Sequence, residues 1–156
     1  MTTTLIGLNN TQSQQLAQAL NHLLANYQVF YMNTRGYHWN IKGKEFFELH
    51  AKFEEIYSDL QVKIDELAER VLTLGSQPMH SFSDYLAASD IREHTNATDS
   101  VSTMTGLVAG FTSLISQQRH VLALAAENED EGTAALMSDY IREQEKLLWM
   151  LNAWLQ

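Results

Sequence analysis

The stretch FFELHAKFEEIYSDLQVKIDELAERVLTL, residues 46–74, decides the fold class of this protein. Its apolar side chains recur at intervals of three and four residues, and this spacing predicts one long helix with a single apolar face. The face carries Phe46, Leu49, Phe53, Ile56, Leu60, Ile64, Leu67, Val71 and Leu74. Gly75 and Pro78 follow directly, and these residue types typically end a helix.

Upstream of this stretch, the same spacing predicts a first helix. Thr11 or Ser13 is expected to cap its amino terminus, because a hydroxyl can accept a hydrogen bond from a free N–H of the first turn. The apolar pattern continues to residues 38–41, where we place the end of the helix. Gly43 then provides a short turn into the second helix, so the two form a helical hairpin.

Downstream, two more helices form a second hairpin. The third helix is predicted to begin after a cap at Thr98 or Asp99. It ends in the acidic segment of residues 127–131. The fourth helix follows this segment and continues to Trp154.

A long connection over residues 77–96 separates the two hairpins. Its hydrophobic pattern is weak, with one short helix predicted at residues 83–88. Two helical hairpins joined by one long crossover describe a ferritin-like four-helix bundle. We therefore predict an all-α protein in which residues 1–156 form one domain, with residues 1–10 as a short uncharged extension.

Composition excludes several other classes of protein. The 156 residues are 45% hydrophobic, which suffices for one core, and 19 Asp and Glu against 10 Lys and Arg give a net charge of -9. An acidic surface repels phosphates, so we expect cations rather than nucleic acids as ligands. The absence of Cys excludes disulfides, thiolate metal sites and cysteine nucleophiles. Without a membrane span of ~18 apolar residues or a basic secretory start, we expect a soluble cytoplasmic protein.

Two pairs of candidate metal ligands lie on the second helix. His50 and Glu54 form one pair and Asp65 and Glu69 the other, each four residues apart and therefore on one face. His38 lies just before the turn into this helix. Two carboxylates at this spacing repel each other by roughly a few tenths of a kcal/mol, and a bound cation removes the repulsion. Imidazole and carboxylate ligands without sulfur suit iron, manganese or zinc.

The distance between the two pairs predicts an oligomer. Glu54 and Asp65 are eleven residues apart, so they stand roughly 16 Å apart along the helix axis. If all five residues serve one metal centre, the histidines and Glu54 must come from one subunit, and Asp65 with Glu69 from another. A two-fold axis that packs two copies of this helix antiparallel would create two equivalent sites per dimer.

Each of these residues, taken singly, also has an ordinary explanation as a solvated helix residue or a satisfied core group. Glu66 with Arg70 and Glu48 with Lys52 are ordinary ion pairs at the same spacing. Only the five-residue pattern therefore favours a metal site. A bundle with its metal site inside each subunit needs Glu-x-x-His pairs on core helices, and the sequence contains none.

The segment NTRGYHWNIKGKEFFELHAKFEEIYSDLQVKIDELAER, residues 33–70, strongly resembles the signature region of the Dps family, the mini-ferritins called DNA-binding proteins from starved cells. In that family an intersubunit ferroxidase centre uses two His residues followed by three acidic ones. The matching positions are His38, His50, Glu54, Asp65 and Glu69. The family more often has Asp where this chain has Glu54, and Trp39 matches a family Trp close to the iron.

The resemblance covers nearly the whole chain and implies a hollow shell of twelve subunits with tetrahedral symmetry. It implies that Fe(II) is oxidised at the dimer-interface centres, preferentially by hydrogen peroxide, and that Fe(III) is stored inside as an oxyhydroxide mineral. Trp39 is then a candidate for taking up stray oxidising equivalents. Zinc suits the same ligands without being the working ion.

Shells of this family also admit iron through acid-lined pores at three-fold axes, where the third helix passes to the fourth. The candidate pore residues are Glu127, Asp130, Glu131 and Asp139, with Glu129 in the same segment. A cluster of acids focuses cations. An acidic solvated turn explains each of them equally well when taken alone, and Ala135 stands where a pore-facing acid is expected.

Two functions from different classes remain open at this point. The first is the ferroxidase and iron store, and the second is a non-catalytic shell or DNA-compacting protein of the same fold. The complete five-residue pattern favours the first. Family members that bind DNA commonly use a flexible basic tail, whereas the first basic residue here is Arg35 and the chain stops directly after the last helical pattern. We therefore expect no appreciable DNA binding at physiological salt.

Overall fold

The structure, a computed structural model, describes residues 2–156 and consists of five helices. They are α1 (Asn10–Asn40), α2 (Phe46–Thr73), α3 (Phe82–Ala88), α4 (Ser100–Glu127) and α5 (Glu131–Leu155). These bounds confirm the predicted all-α bundle, with α3 as the short helix of the long connection. None of the helices in residues 2–156 combines the length and apolar character that crossing a membrane needs.

Helix α1 runs antiparallel to both α2 and α4. Phe30 of α1 packs edge-on against Phe111 of α4, with 4.9 Å between the ring centroids. Gly110 permits this approach, because a Cβ there would lie 2.1 Å from the Phe30 ring. Helix α5 closes the bundle against α4 and α2, and the Tyr140 hydroxyl donates to Glu66 over 2.7 Å. The apolar faces predicted from the spacing meet in one core.

Side-chain hydrogen bonds cap the amino-terminal ends of α1 and α4. The predicted cap of α1 at Thr11 or Ser13 is wrong, because the Asn9 side chain accepts from a first-turn N–H over 2.9 Å. Ser13 instead lies buried inside the helix. Several cap-forming residue types stand next to one another in residues 9–13, and the spacing pattern alone cannot choose among them. The cap of α4 at Asp99 is confirmed, since its carboxylate accepts a hydrogen bond from the main-chain N–H of Ser102, the third residue of the helix.

Three asparagines of α1 fasten the long connection along the bundle. Asn26 is fully buried, and its side-chain oxygen accepts three hydrogen bonds from residues 89–91. Asn21 binds main-chain groups of residues 77 and 79, and Asn33 binds those of residues 92 and 94. Because these contacts follow α1 in order, the connection runs from one end of the bundle to the other. Neutral amides satisfy these main-chain groups without burying a charge.

The first prediction concerns this fastening. Asn26→Ala is expected to lower the free energy of unfolding by about 1–3 kcal/mol, because two N–H groups and a hydroxyl lose their acceptor in a partly buried position. For a chain of this length the midpoint of thermal unfolding should fall by about 2–12 °C, which differential scanning calorimetry measures. Asn152→Ala removes an exposed amide from α5 and is the control. Equal losses in the two variants would contradict the fastening role of Asn26.

Candidate metal centre

His38 and His50 interlock at the corner between α1 and α2. The Nδ1–H of His38 donates to the carbonyl oxygen of His50, and the Nδ1–H of His50 donates to the carbonyl oxygen of His38, each over 2.7 Å. The rings stack with their centroids 3.8 Å apart and 13° between their planes. His38 lies in the last turn of α1, where carbonyl groups lack a partner within the helix. The interlock therefore satisfies the helix end as well as orienting both rings.

This arrangement determines the tautomer of both imidazoles. A carbonyl oxygen only accepts hydrogen bonds, so each Nδ1 carries a proton, and in the neutral ring each Nε2 keeps a lone pair. A histidine held in this way through its other ring nitrogen is typical of metal sites. Both residues can therefore bind a cation through Nε2 and keep these hydrogen bonds.

Glu54 and two aromatic rings surround the histidine pair. Glu54 is exposed and places its Oε1 3.7 Å from the Nε2 of His38, the nitrogen that this tautomer leaves free. Phe46 stacks on His50 at 4.9 Å, and Tyr57 lies edge-on to His38 at 5.3 Å, both measured between ring centroids. The structure thus brings together three of the five predicted ligands within one chain.

Asp65 and Glu69 lie further along α2, and both side chains are exposed. Because α2 is one continuous helix from Phe46 to Thr73, Asp65 stays about 16 Å from Glu54 along the helix axis. Within residues 2–156, no group of three or more His, Cys, Asp or Glu side chains is arranged to hold a metal ion. One chain therefore carries two separate groups of candidate ligands: a histidine half and an acidic half. The histidine half consists of His38, His50 and Glu54, and the acidic half consists of Asp65 and Glu69.

A neutral hydrogen-bonded ring fills the centre of the bundle. The Tyr27 hydroxyl donates to Gln118, the Gln118 amide donates to Gln144 over 2.9 Å, and the Gln144 amide donates back to Tyr27 over 2.7 Å. All three side chains are buried, and burial raises the pKa of the Tyr27 hydroxyl above its usual value. Diiron bundles place glutamates at such core positions, whereas these three residues offer no anionic ligand.

Asp130, one of the candidate pore residues, is committed to a structural role. Its side chain is 1% exposed and pairs with Arg70 over 2.8 Å. It also caps α5 by accepting from the N–H and the hydroxyl of Thr133. Asp130 is therefore not a pore candidate. The sequence pattern could not predict this ion pair, because Arg70 and Asp130 are 60 residues apart in the chain. The remaining candidates, Glu127, Glu131 and Asp139, are exposed and stay predictions.

An aromatic group that the sequence pattern did not single out lies beside the histidines. Tyr57 contacts both His38 and the guanidinium of Arg35. Trp39, which the sequence did single out, is exposed and lies 5.0 Å from the same guanidinium. A helical wheel of α2 could have indicated Tyr57, since it lies two turns after His50 on the same face. Its contact with α1 has no signal in the local sequence.

An apolar groove of about 920 Å³ lies between α1 and the long connection. Met32 and Trp39 line it from α1, and Phe82 and Leu86 line it from α3. All four side chains are at least half exposed, and Phe82 is 80% exposed. Large apolar side chains exposed together are typical of a contact surface.

Comparisons with known proteins agree with this architecture. Residues 17–156 match the family model of the ferritin-like domain. The crystal structure of a Dps protein from Vibrio cholerae O1 matches with a TM-score of 0.99 and 74% sequence identity, over 100% of this chain and 98% of that chain. That protein is described as a member of a broad superfamily of ferritin-like diiron-carboxylate proteins. A Dps protein from Bacillus brevis matches with a TM-score of 0.90 and 35% identity over 94% and 98% of the two chains. The DNA protection during starvation protein of Porphyromonas gingivalis is 41% identical over 95% of this chain and 93% of its own.

The second prediction tests the role of Asp130. Asp130→Asn should cost on the order of 2 kcal/mol of stability, because Arg70 loses its counter-charge; a fully buried pair would cost more, but 20% of the Arg70 side chain is exposed. The amide can still cap α5, so the expected fall of about 4–8 °C in the unfolding midpoint reports the ion pair. Glu131→Gln removes the same charge from an exposed neighbour and serves as the control. Unfolding of both variants at the wild-type temperature would refute the structural role.

Proposed function

The chain belongs to the Dps family of ferritin-like proteins, and from that premise we propose that it is an iron-storing mini-ferritin. It oxidises Fe(II), preferably with hydrogen peroxide, at centres shared between two subunits, and it stores the ferric product as a mineral inside a hollow shell. Iron and peroxide together generate hydroxyl radicals, so removing both protects the cell against oxidative damage. We place this activity in the cytoplasm.

The interlocked histidines carry the proposal. His38 and His50 direct their protonated Nδ1 atoms to carbonyl oxygens, which leaves Nε2 of each ring for a metal, and Glu54 adds one carboxylate beside them. Two imidazoles and one carboxylate leave a metal ion short of ligands. Asp65 and Glu69 of the partner subunit, supplied across a two-fold axis, complete the set and mirror it in a second site.

Iron is the substrate of these centres. Mixed imidazole and carboxylate ligands suit Fe(II), and a site with few protein ligands leaves positions for the oxidant. Two Fe(II) ions each give one electron to hydrogen peroxide, its O–O bond breaks, and hydrolysis of the ferric ions yields oxyhydroxide and protons. Trp39, exposed next to His38, is suited to give up an electron to a stray oxidising species. Zinc would compete for the same ligands without undergoing this redox chemistry.

Assembly completes the site and covers exposed apolar surface. We propose that a second copy of the chain covers the groove between α1 and α3, since Phe82 and Trp39 are mostly exposed in one chain. Twelve such subunits with tetrahedral symmetry form the shell. Iron enters through pores at the turn between α4 and α5, where Glu127, Glu131 and Asp139 provide negative charge that attracts cations.

A non-catalytic shell or a DNA-compacting protein of the same fold is the alternative. The net charge of -9 disfavours compaction, because binding to phosphates requires a positive surface. The Porphyromonas gingivalis relative is named for DNA protection. We propose that this chain protects DNA chemically, by withdrawing iron and peroxide, and that it does not bind DNA.

The third prediction tests the activity. Wild-type protein loaded anaerobically with Fe(II) should oxidise it on addition of hydrogen peroxide faster than a protein-free control, with a soluble product and little hydroxyl radical. Asp65→Ala should abolish the fast phase of ferric absorbance, because the acidic half of the centre loses a ligand. Glu145→Ala, an exposed change on α5, should keep that phase. Oxidation by wild type no faster than the control would refute the ferroxidase and favour a shell without its chemistry.

The fourth prediction tests the sharing of the site between subunits. A His38→Ala, His50→Ala chain and an Asp65→Ala, Glu69→Ala chain should each be inactive. When the two are refolded together, half of the dimers are mixed and half of their sites are intact, so about a quarter of the wild-type fast phase should return. Each variant refolded alone is the control. No recovery in mixed shells whose composition is verified by native mass spectrometry would contradict a shared centre.

A further inference from the structure

Arg35 lies within an aromatic cluster beside the candidate metal centre. Its guanidinium carbon is 4.4 Å from the ring centre of Tyr57, 5.0 Å from that of Trp39 and 5.8 Å from that of Tyr31. Its Nη1 donates to the Tyr31 hydroxyl over 2.8 Å, and this hydrogen bond raises the pKa of the guanidinium above its usual value. Tyr57 in turn contacts His38. A permanent charge is therefore held one side chain away from a proposed ligand.

No carboxylate in residues 2–156 lies within ion-pair distance of Arg35. Its Nε is buried without a hydrogen-bond partner. The carboxylate with an electrostatic effect on Arg35 is that of Glu54, a proposed metal ligand, and its attraction also raises the pKa of the guanidinium. The guanidinium itself remains accessible to water, so its charge is stable without an ion-pair partner. The guanidinium therefore keeps its full positive charge close to the proposed ligands, with one aromatic ring between it and His38.

We propose that Arg35 is a positioning residue of the metal centre whose charge keeps metal binding weak. This inference rests on the proposed function and deepens it, because it assigns a role to a residue that does not touch the metal. The positive charge repels cations from the ligands, while the stacked guanidinium holds the Tyr57 ring against His38. The centre then binds Fe(II) transiently and does not retain the product.

The repulsion distinguishes the substrate ion from the product ion. Coulomb energy is proportional to the charge of the ion, so at equal distance Arg35 repels Fe(III) about 1.5 times as strongly as Fe(II). The guanidinium is accessible to water, so dissolved salt screens this repulsion and the effect is largest at low ionic strength. A storage protein has to pass ferric ions from its oxidation centre to the mineral. A fixed cation beside the ligands favours that departure.

Cobalt(II) binding tests the inference without iron turnover. Arg35→Gln removes the charge and should tighten Co(II) binding by about tenfold at low salt, followed by the visible absorption of the ligated ion. The gain should shrink as NaCl is raised, because salt screens charge effects. Arg35→Lys keeps the charge but loses the planar stack, so its Co(II) affinity should stay within about twofold of wild type. A merely structural role would affect the two variants alike and would not depend on salt.

Two controls separate this inference from the proposed function. His38→Ala removes a proposed ligand, so unchanged Co(II) binding in this variant means that the proposed centre itself is wrong. Arg119→Gln removes the same charge from α4. Arg119 lies far from the candidate metal centre. The adjacent residue Gln118 contacts Tyr27, and Tyr27 precedes Arg35 by eight residues on α1, which is about 12 Å along the helix axis. This variant should bind Co(II) as wild type does.

Several results would overturn the role of Arg35 alone. One is unchanged Co(II) affinity in Arg35→Gln when His38→Ala has lost binding, and another is a gain that persists at high salt or occurs equally in Arg35→Lys. If Arg35→Gln does not assemble, Arg35→Met takes its place, because a thioether packs well against aromatic rings. Failure of both neutral variants beside normal assembly of Arg35→Lys would assign the charge to assembly and also overturn the inference.

Discussion

The continuity of α2 is the constraint on which the rest of the site depends. Its hydrogen-bonded backbone runs without interruption from Phe46 to Thr73, and a straight helix advances about 1.5 Å per residue. Glu54 and Asp65 therefore share a face without being able to share an ion. One chain therefore carries two separate groups of candidate ligands, and the proposed metal centre requires a second chain to complete it. In the proposed function, the rigidity of this one helix thus couples catalysis to assembly.

The interior of the bundle is filled by neutral polar side chains and offers no anionic metal ligands. The ring of Tyr27, Gln118 and Gln144 satisfies its own donors and acceptors, so no ligand is needed at the centre. Burial of this neutral group avoids the desolvation of carboxylates that a core metal site requires. Next to it, Lys63 is held between Asp59 and Glu143. Burial disfavours its charged form, but the two hydrogen bonds outweigh that effect and raise the pKa of Lys63.

Helix α1 serves as the support for both the connection and the site. Its asparagines bind the main chain of the crossover, and its last turn contributes His38 to the interlock with His50. Positions 1–34 contain no Asp, Glu, Lys or Arg. The asparagines among them suit the first of these tasks, because a buried amide can both donate and accept without a counter-ion. Charge first appears at Arg35, where the helix reaches the proposed metal ligands.

Much of this protein could be predicted from its sequence, because the determining signals are local. Helical periodicity, the turn at Gly43 and the stop at Gly75 depend on neighbours in the chain, and the structure confirms the helices that they predict. The i,i+4 pairs and the rise per residue also predicted that the ligands on α2 divide into two groups. The sequence determined these features because backbone geometry turns spacing along the chain directly into position on one helix. Only the tertiary structure decided the interlocked tautomers of His38 and His50, the burial of Asp130 against Arg70, and the unneutralised guanidinium beside Tyr57, since each depends on which residues of distant helices come to lie within a few ångströms of one another.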